Sequence, residues 1–189
     1  MFLVHRPSRR EIDAFIGASY HLPLSYQPIG LAKQKPTGFA IDEYVAIVGH
    51  GQSAFERARF GLMQWRHFEL GWAELFPEAV AAAPGTVVAV LLRHLGFWSL
   101  NGCRVVYWIG EGSEREFGFA YGTLTNHAEA GEEIFKVTIH PETGDVSYMI
   151  RAVSRPRAPL AQLGYPVVRL LQARFRRDSS RALSRACAG

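Results

Sequence analysis

Phe117-Gly118-Phe119-Ala120-Tyr121-Gly122-Thr123 is the stretch that decides how this chain folds. Successive side chains of a strand point to opposite faces. Phe117, Phe119, Tyr121 and Thr123 therefore share one face, while Gly118, Ala120 and Gly122 leave the other nearly bare backbone. The aromatic face belongs in a core, and the bare face lets another element, a helix or a ligand, approach the backbone closely.

Working outward, further strands are predicted at 72–76, 86–94, 97–100, 103–109, 133–140 and 146–154. They are separated by the turn signals Pro84-Gly85, Asn101-Gly102, Gly110 to Ser113 and Pro141 to Gly144. Asn101-Gly102 reads as a two-residue hairpin turn. Another strand is expected over 39–48. Strands linked by hairpins form an antiparallel sheet, and helices must cover one of its faces.

Three helices fit the remaining pattern. Ser8 and Glu11 have capping-box spacing ahead of Ile12, Phe15 and Ile16, which predicts a helix over 9–18. Ser53 and Glu56 repeat that spacing ahead of Phe55, Ala58, Leu62 and Trp65, a helix expected to end near Arg66. Pro159 can open a last helix with the apolar stripe Leu163, Val167, Leu171, Phe175 and Ala182, and Pro166 should kink it or mark its start. The Pro- and Gly-broken stretch from Pro23 to Gly38 reads as a wrapping loop. The expectation is an α+β fold in which a curved antiparallel sheet of about seven strands surrounds a long C-terminal helix. It forms a single domain over 1–189, with an N-terminal helix and loop over 1–38 and the core over 39–189.

Composition narrows the function classes. The chain has 189 residues, 48% hydrophobic, enough to build a core without staples. Its two cysteines, Cys103 and Cys187, match neither a disulfide framework nor a zinc spacing. No apolar run spans a bilayer; the uncharged run Ala79 to Leu92, for example, is broken by Pro84-Gly85. A soluble, cytoplasmic protein without metal or cofactor is expected. No G-x-S-x-G, P-loop or strand-coupled G-x-G-x-x-G pattern occurs, which sets aside the common nucleophilic and nucleotide enzymes.

Candidate site residues fall into three groups. Arg93, Arg104 and Arg151 interrupt apolar strands, so each emerges at an edge, pairs with a carboxylate, or faces a cavity. With Trp98, Tyr107, Tyr121 and Tyr148 on neighbouring strands, Arg93 and Arg104 are candidate lining residues for an amphipathic molecule bearing an acid or hydroxyl. The segment Thr125 to Glu133, read as a turn, carries His127, Glu129, Glu132 and Glu133. With Tyr121, His127, Glu132 and Glu133 are candidate acid–base groups, although a solvated loop would have the same composition. Arg174, Arg177, Arg181 and Arg185 stripe the last helix, within a C-terminal part that holds nine Arg and one acid from Arg151 onward. Nucleic acid or an anionic membrane could dock there, but an ordinary solvated helix has the same pattern.

These residues also carry a resemblance. Gly51 with Phe55-Glu56-Arg57-Ala58, then Trp65 and Gly71-Trp72, then Phe117 through Leu124, His127 and Gly131-Glu132-Glu133-Ile134-Phe135 are similar to uncharacterised protein family 0548, as are Ser154-Arg155-Pro156 and Phe175 through Ser179. The similarity runs from roughly Tyr44 to Leu183. Ile134 departs from the pattern, where the family more often has Arg. The family in turn resembles the helix-grip superfamily of lipid-transfer and pathogenesis-related proteins, which implies a hydrophobic cavity between sheet and C-terminal helix. Carriers, sensors and enzymes all share that fold, so the resemblance leaves open binding, catalysis on a bound ligand, and docking through the basic helix.

Overall fold

Period-two alternation along the strands produces the predicted antiparallel sheet. The computed structural model describes residues 1–94, 96–157 and 165–188. Among the described residues there are eight strands: β1 (Phe2–Leu3), β2 (Ala40–His50), β3 (Ala73–Phe76), β4 (Val87–His94), β5 (Phe97–Ile109), β6 (Glu116–Thr123), β7 (Glu129–Ile139) and β8 (Asp145–Pro156). Their order across the sheet is β2-β8-β7-β6-β5-β4-β3, all neighbours antiparallel, with short β1 added to the end of β5. The helices among the described residues are α1 (Arg9–Ser19), α2 (Gln52–Met63) and α3 (Tyr165–Ala188).

The inner face of the curved sheet holds the larger core. Phe119 and Phe135 from neighbouring strands meet Phe55 and Leu62 of α2, Leu183 of α3 and Tyr148 of β8, all fully buried. Each such side chain contributes about 1.5–3 kcal/mol by leaving water. α2 and α3 fit closely because Gly61 has no Cβ: one placed there would lie 3.0 Å from Leu183 Cδ1. The outer face is covered as well, which corrects the expectation of one covered face. Ile12 and Ile16 of α1 pack on Ala89, Leu91 and Leu100. The wrapping segment lays Tyr26, Leu31 and Ala32 on Ala120, Ile134 and Val153. The bare back of β6 thus receives a loop rather than a helix or ligand: a Cβ on Gly122 would sit 2.4 Å from the Tyr26 hydroxyl.

Several local readings need correction. The capping box at Ser8 and Glu11 forms, but the one expected at Ser53 does not, because α2 starts at Gln52 behind Gly51 (φ 83°). Asn101-Gly102 is no turn and lies in mid-β5. Gly102 is there for close approach, since a Cβ would meet Asn126 Oδ1 at 2.3 Å. Glu129 to Glu133 is already strand β7 rather than loop. α3 is described from Tyr165, with Pro166 in its first turn, where a missing N–H is harmless; the expected start at Pro159 and Leu163 of the stripe lie outside the described residues.

Candidate functional site

Curvature leaves a space where the sheet's inner face moves away from α3. This pocket has a volume of about 410 Å³. Its walls are largely apolar, with Phe68 and Trp72 on one side, Leu92 from β4, and Val167, Leu171 and Phe175 from α3. Polar groups gather on β6, β7 and the turn between them, because Tyr121, Glu129, Glu133 and Thr123 occupy inward positions of paired strands.

Glu133 lies opposite Tyr121 in the ladder and accepts its hydroxyl at 2.8 Å through Oε2. Burial raises the Glu133 carboxyl to about 7, with the Glu129 charge adding to the rise and the Tyr121 bond opposing it. Burial and the adjoining Glu133 charge push the Tyr121 phenol well above its ordinary value. Glu129 is also raised by burial, against bonds from Gln172 Nε2 (3.0 Å) and Ser154 (3.4 Å). His127 Nδ1 accepts the Glu129 backbone N–H at 2.9 Å, so a neutral ring carries its proton on Nε2. Burial, reinforced by the terminal ammonium, lowers His127 to about 3 and keeps it neutral. A carboxyl that titrates near neutrality, hydrogen-bonded to a phenol and sharing its pocket with a neutral imidazole, can exchange a proton with a molecule in the pocket.

The anticipated site residues divide by face. Tyr121, His127 and Glu133 come together at the pocket. Glu132 has its side chain on the outer face, opposite Gly122, and there accepts Tyr26 OH (2.6 Å), Gly30 N (2.9 Å), Ala32 N (3.1 Å) and Tyr107 OH (2.6 Å). It latches the wrapping segment and has no free lone pair to offer a substrate. Arg104 is outside too, donating to the carbonyl oxygens of Tyr20 (2.8 Å) and Leu22 (3.1 Å). Arg93 pairs with Trp98 across β4 and β5, its guanidinium 5.8 Å from the indole, on the face opposite inward His94 and Ser99. Tyr148 points inward but is fully buried in the core, bonded to Ser179 at 2.9 Å, and does not reach the pocket. Tyr107 is outward because β5 has a bulge between Val105 and Tyr107; the extra residue reverses the alternation, so Trp108 turns inward instead.

Arg151, like Arg104 and Glu132, fastens the wrapping segment, donating to Ala32 O (2.7 Å), Gln34 O (3.1 Å) and Glu43 (2.6 Å). Along the basic helix, Arg174 lies over Trp72 (4.7 Å) and meets Asp178, which Arg181 also approaches at 3.8 Å. Sequence reading passed over the inward row Phe97, Ser99 and Asn101, hidden by the supposed turn, and the helix residues Gln172 and Arg176. Glu129 and Glu133, four apart on one strand, were the available signal once 129–133 is read as strand. Among the described residues no group of three or more His, Cys, Asp or Glu side chains is placed to hold a metal, and no helix is long and apolar enough to cross a membrane.

Comparison with known proteins places this geometry. A Helicobacter pylori hypothetical protein superposes with a TM-score of 0.54 at 11% identity, covering 84% of this chain and 93% of that one. A Thalictrum norcoclaurine synthase point mutant, in complex with a transition-state analogue, superposes at 0.50 with 9% identity, covering 80% and 97%. These likenesses establish the helix-grip fold. In sequence, the chain is 30% identical to a UPF0548 protein of Dictyostelium discoideum over 98% of its own length and 95% of the relative's. It is 32% identical to one of Deinococcus radiodurans, covering 98% of both, and 34% identical to one of Arabidopsis thaliana over 77% and 72%. The model of a domain of unknown function, DUF1990, matches residues 25–182, and the chain belongs to this DUF1990/UPF0548 family.

Proposed function

We propose that this protein binds a small, mostly apolar or amphipathic molecule between the inner face of the sheet and α3. The observation that carries the reading is the pocket itself: about 410 Å³, its walls largely apolar, with Tyr121, His127 and Glu133 among its polar lining groups. Sites for small molecules have this size and make-up. The outward placement of Arg93 and Arg104 removes them from the lining, and Tyr121, His127 and Glu133 take over the polar contacts.

The neutral, environment-sensitive dye prodan provides the test. Wild-type protein should give saturable, blue-shifted fluorescence. Ala152→Trp and Leu171→Trp, which place an indole in the space from β8 and from α3, should each abolish it while the far-ultraviolet dichroism stays native. Absence of saturable binding by the wild type, or undiminished binding by both folded variants, overturns the proposal.

A further inference from the structure

We propose that the pocket selects a molecule carrying a protonated amine on an apolar, aromatic-sized body, with the nitrogen seated against Glu133. This rests on the binding function proposed above and specifies its ligand class. The argument begins with unmet hydrogen-bonding capacity. Glu133 Oε2 accepts Tyr121, but Oε1 accepts nothing among the described residues, although the side chain lies on the pocket wall. Glu133 is partly buried on the pocket wall, so Oε1 faces whatever occupies the pocket, and a guest that displaces water from a carboxylate must replace its hydrogen bonds. A proton or a cationic guest meets that need, and burial together with the Glu129 charge raises the carboxyl toward neutrality.

The cations of the neighbourhood are already engaged. Asp42, on β2, accepts Arg169 through both oxygens, one of these bonds at 2.7 Å, and Arg176 lies 3.4 Å from the same carboxylate. Glu129 draws its hydrogen bonds from neutral donors, Gln172 and Ser154. Three carboxylates, Asp42, Glu129 and Glu133, thus face two guanidiniums, Arg169 and Arg176, leaving one negative charge in excess when all three are ionised. The terminal ammonium donates to Leu100 O at 2.7 Å and bears on His127 rather than on Glu133. His94 is kept neutral by burial and sits beside Ser99 at 3.3 Å. The chain between 157 and 165 brings no charged side chain. One univalent cation balances the site.

The walls suit the same guest. Phe68 packs against Tyr121 (6.4 Å between centroids) and Phe175 (5.0 Å), placing ring faces next to the Tyr121–Glu133 pair. Aromatic faces and a carboxylate together favour an ammonium over an alcohol and exclude an acid. Arg93 and Arg104 lie on the outer face, and Arg176, the guanidinium on the pocket wall, is held 3.4 Å from Asp42.

The test is competition against bound prodan at about pH 8, where Glu133 is mostly ionised and a primary alkylamine is still protonated. Three competitors share one ring system: naphthylmethylamine, naphthylmethanol and naphthoic acid. The amine should displace prodan at about a tenfold lower concentration than the alcohol, or lower still, because a charge-assisted hydrogen bond replaces a neutral one. The acid should be weakest. In Glu133→Gln the gap between amine and alcohol should close to about twofold; should that variant not fold, Glu129→Gln, which also removes one negative charge from the cluster, should narrow it. Equal affinities of amine and alcohol for the wild type, or an acid that competes best, overturn the amine assignment while leaving prodan binding intact. Failure of prodan to bind at all instead removes the pocket reading beneath it.

Discussion

Replacing Glu132 by Gln should destabilise the protein by about 3 kcal/mol and leave the pocket alone. The carboxylate is 2% exposed and accepts four bonds, two at each oxygen: Tyr26 OH and Gly30 N at Oε2, Tyr107 OH and Ala32 N at Oε1. An amide turns one of those oxygens into a donor. Whichever way it is oriented, the new NH2 meets one phenol, which can rotate and accept, and one backbone N–H, which cannot. The stranded N–H costs about 1–3 kcal/mol. The remaining bonds lose charge assistance and fall to roughly half their strength, about 2 kcal/mol more in all. Easier desolvation of a neutral side chain offsets part of this, leaving about 2–4 kcal/mol. Urea unfolding measures the total, and hydrogen exchange locates it: the Gly30 and Ala32 amides should lose protection while β7 and β8 keep theirs. Prodan affinity should stay within about twofold. A loss below about 1 kcal/mol, or one that spares those two amides, refutes the idea that Glu132 is the latch of the wrapping segment.

Asp42→Asn should cost about 2–3 kcal/mol in urea unfolding, since Asp42 is the carboxylate to which Arg169 and Arg176 tie α3; breaking a buried pair costs about 3–5 kcal/mol, reduced here because Arg169 is a third exposed. A loss under about 0.5 kcal/mol would show that apolar packing holds the helix unaided. His67 is fully buried with neither ring nitrogen bonded among the described residues, and burial lowers its pKa to about 3. Between about pH 6.5 and pH 3 the unfolded chain takes a proton that the folded chain refuses, so stability is lost as pH falls through that window. His67→Phe should remove this loss, amounting to about 2 kcal/mol by pH 5, and an unflattened acid limb would count against it. Gly122→Ala should cost about 1–3 kcal/mol by pushing Tyr26 and Leu24 off the back of β6, and unchanged urea unfolding would contradict that contact.

Element types were legible because period two and period 3.6 are written locally. Ser8 and Glu11 place α1 within a residue, and the alternation at 117–123 places β6 and its inward face. Faces were harder wherever local signals had competing causes. Asn101-Gly102 has the chemistry of a turn, yet Gly102 makes room for Asn126 inside a continuous strand. Once β5 was cut there, the inward row from Phe97 to Asn101 could not be counted. The arginines were ambiguous for a different reason. Arg104 and Arg151 sit in apolar strands to grip carbonyl oxygens of the wrapping segment, partners more than eighty residues away in sequence. Glu132 and Glu133 show the limit most sharply: adjacent and chemically alike, one is a structural acceptor and the other lines the pocket, and only strand parity separates them.

The bulge at Val106 carries this further, because it makes β5 a strand written in two phases. Before it, odd-numbered residues look toward α3; after it, even-numbered ones do. Deleting Val106 would not merely shorten the strand. It would take out the one unpaired residue and restore plain alternation, with Tyr107 directly after Val105 and still outward opposite Ala120, and Trp108 still inward opposite Phe119, so the Tyr107 bond to Glu132 would survive while the local bend and the outward Val106 side chain are lost. Relatives that differ by one residue at this point are therefore best aligned by which way each side chain faces, and anyone redesigning the pocket through β5 should take inward positions from the pairing with β6 rather than from odd or even residue numbers.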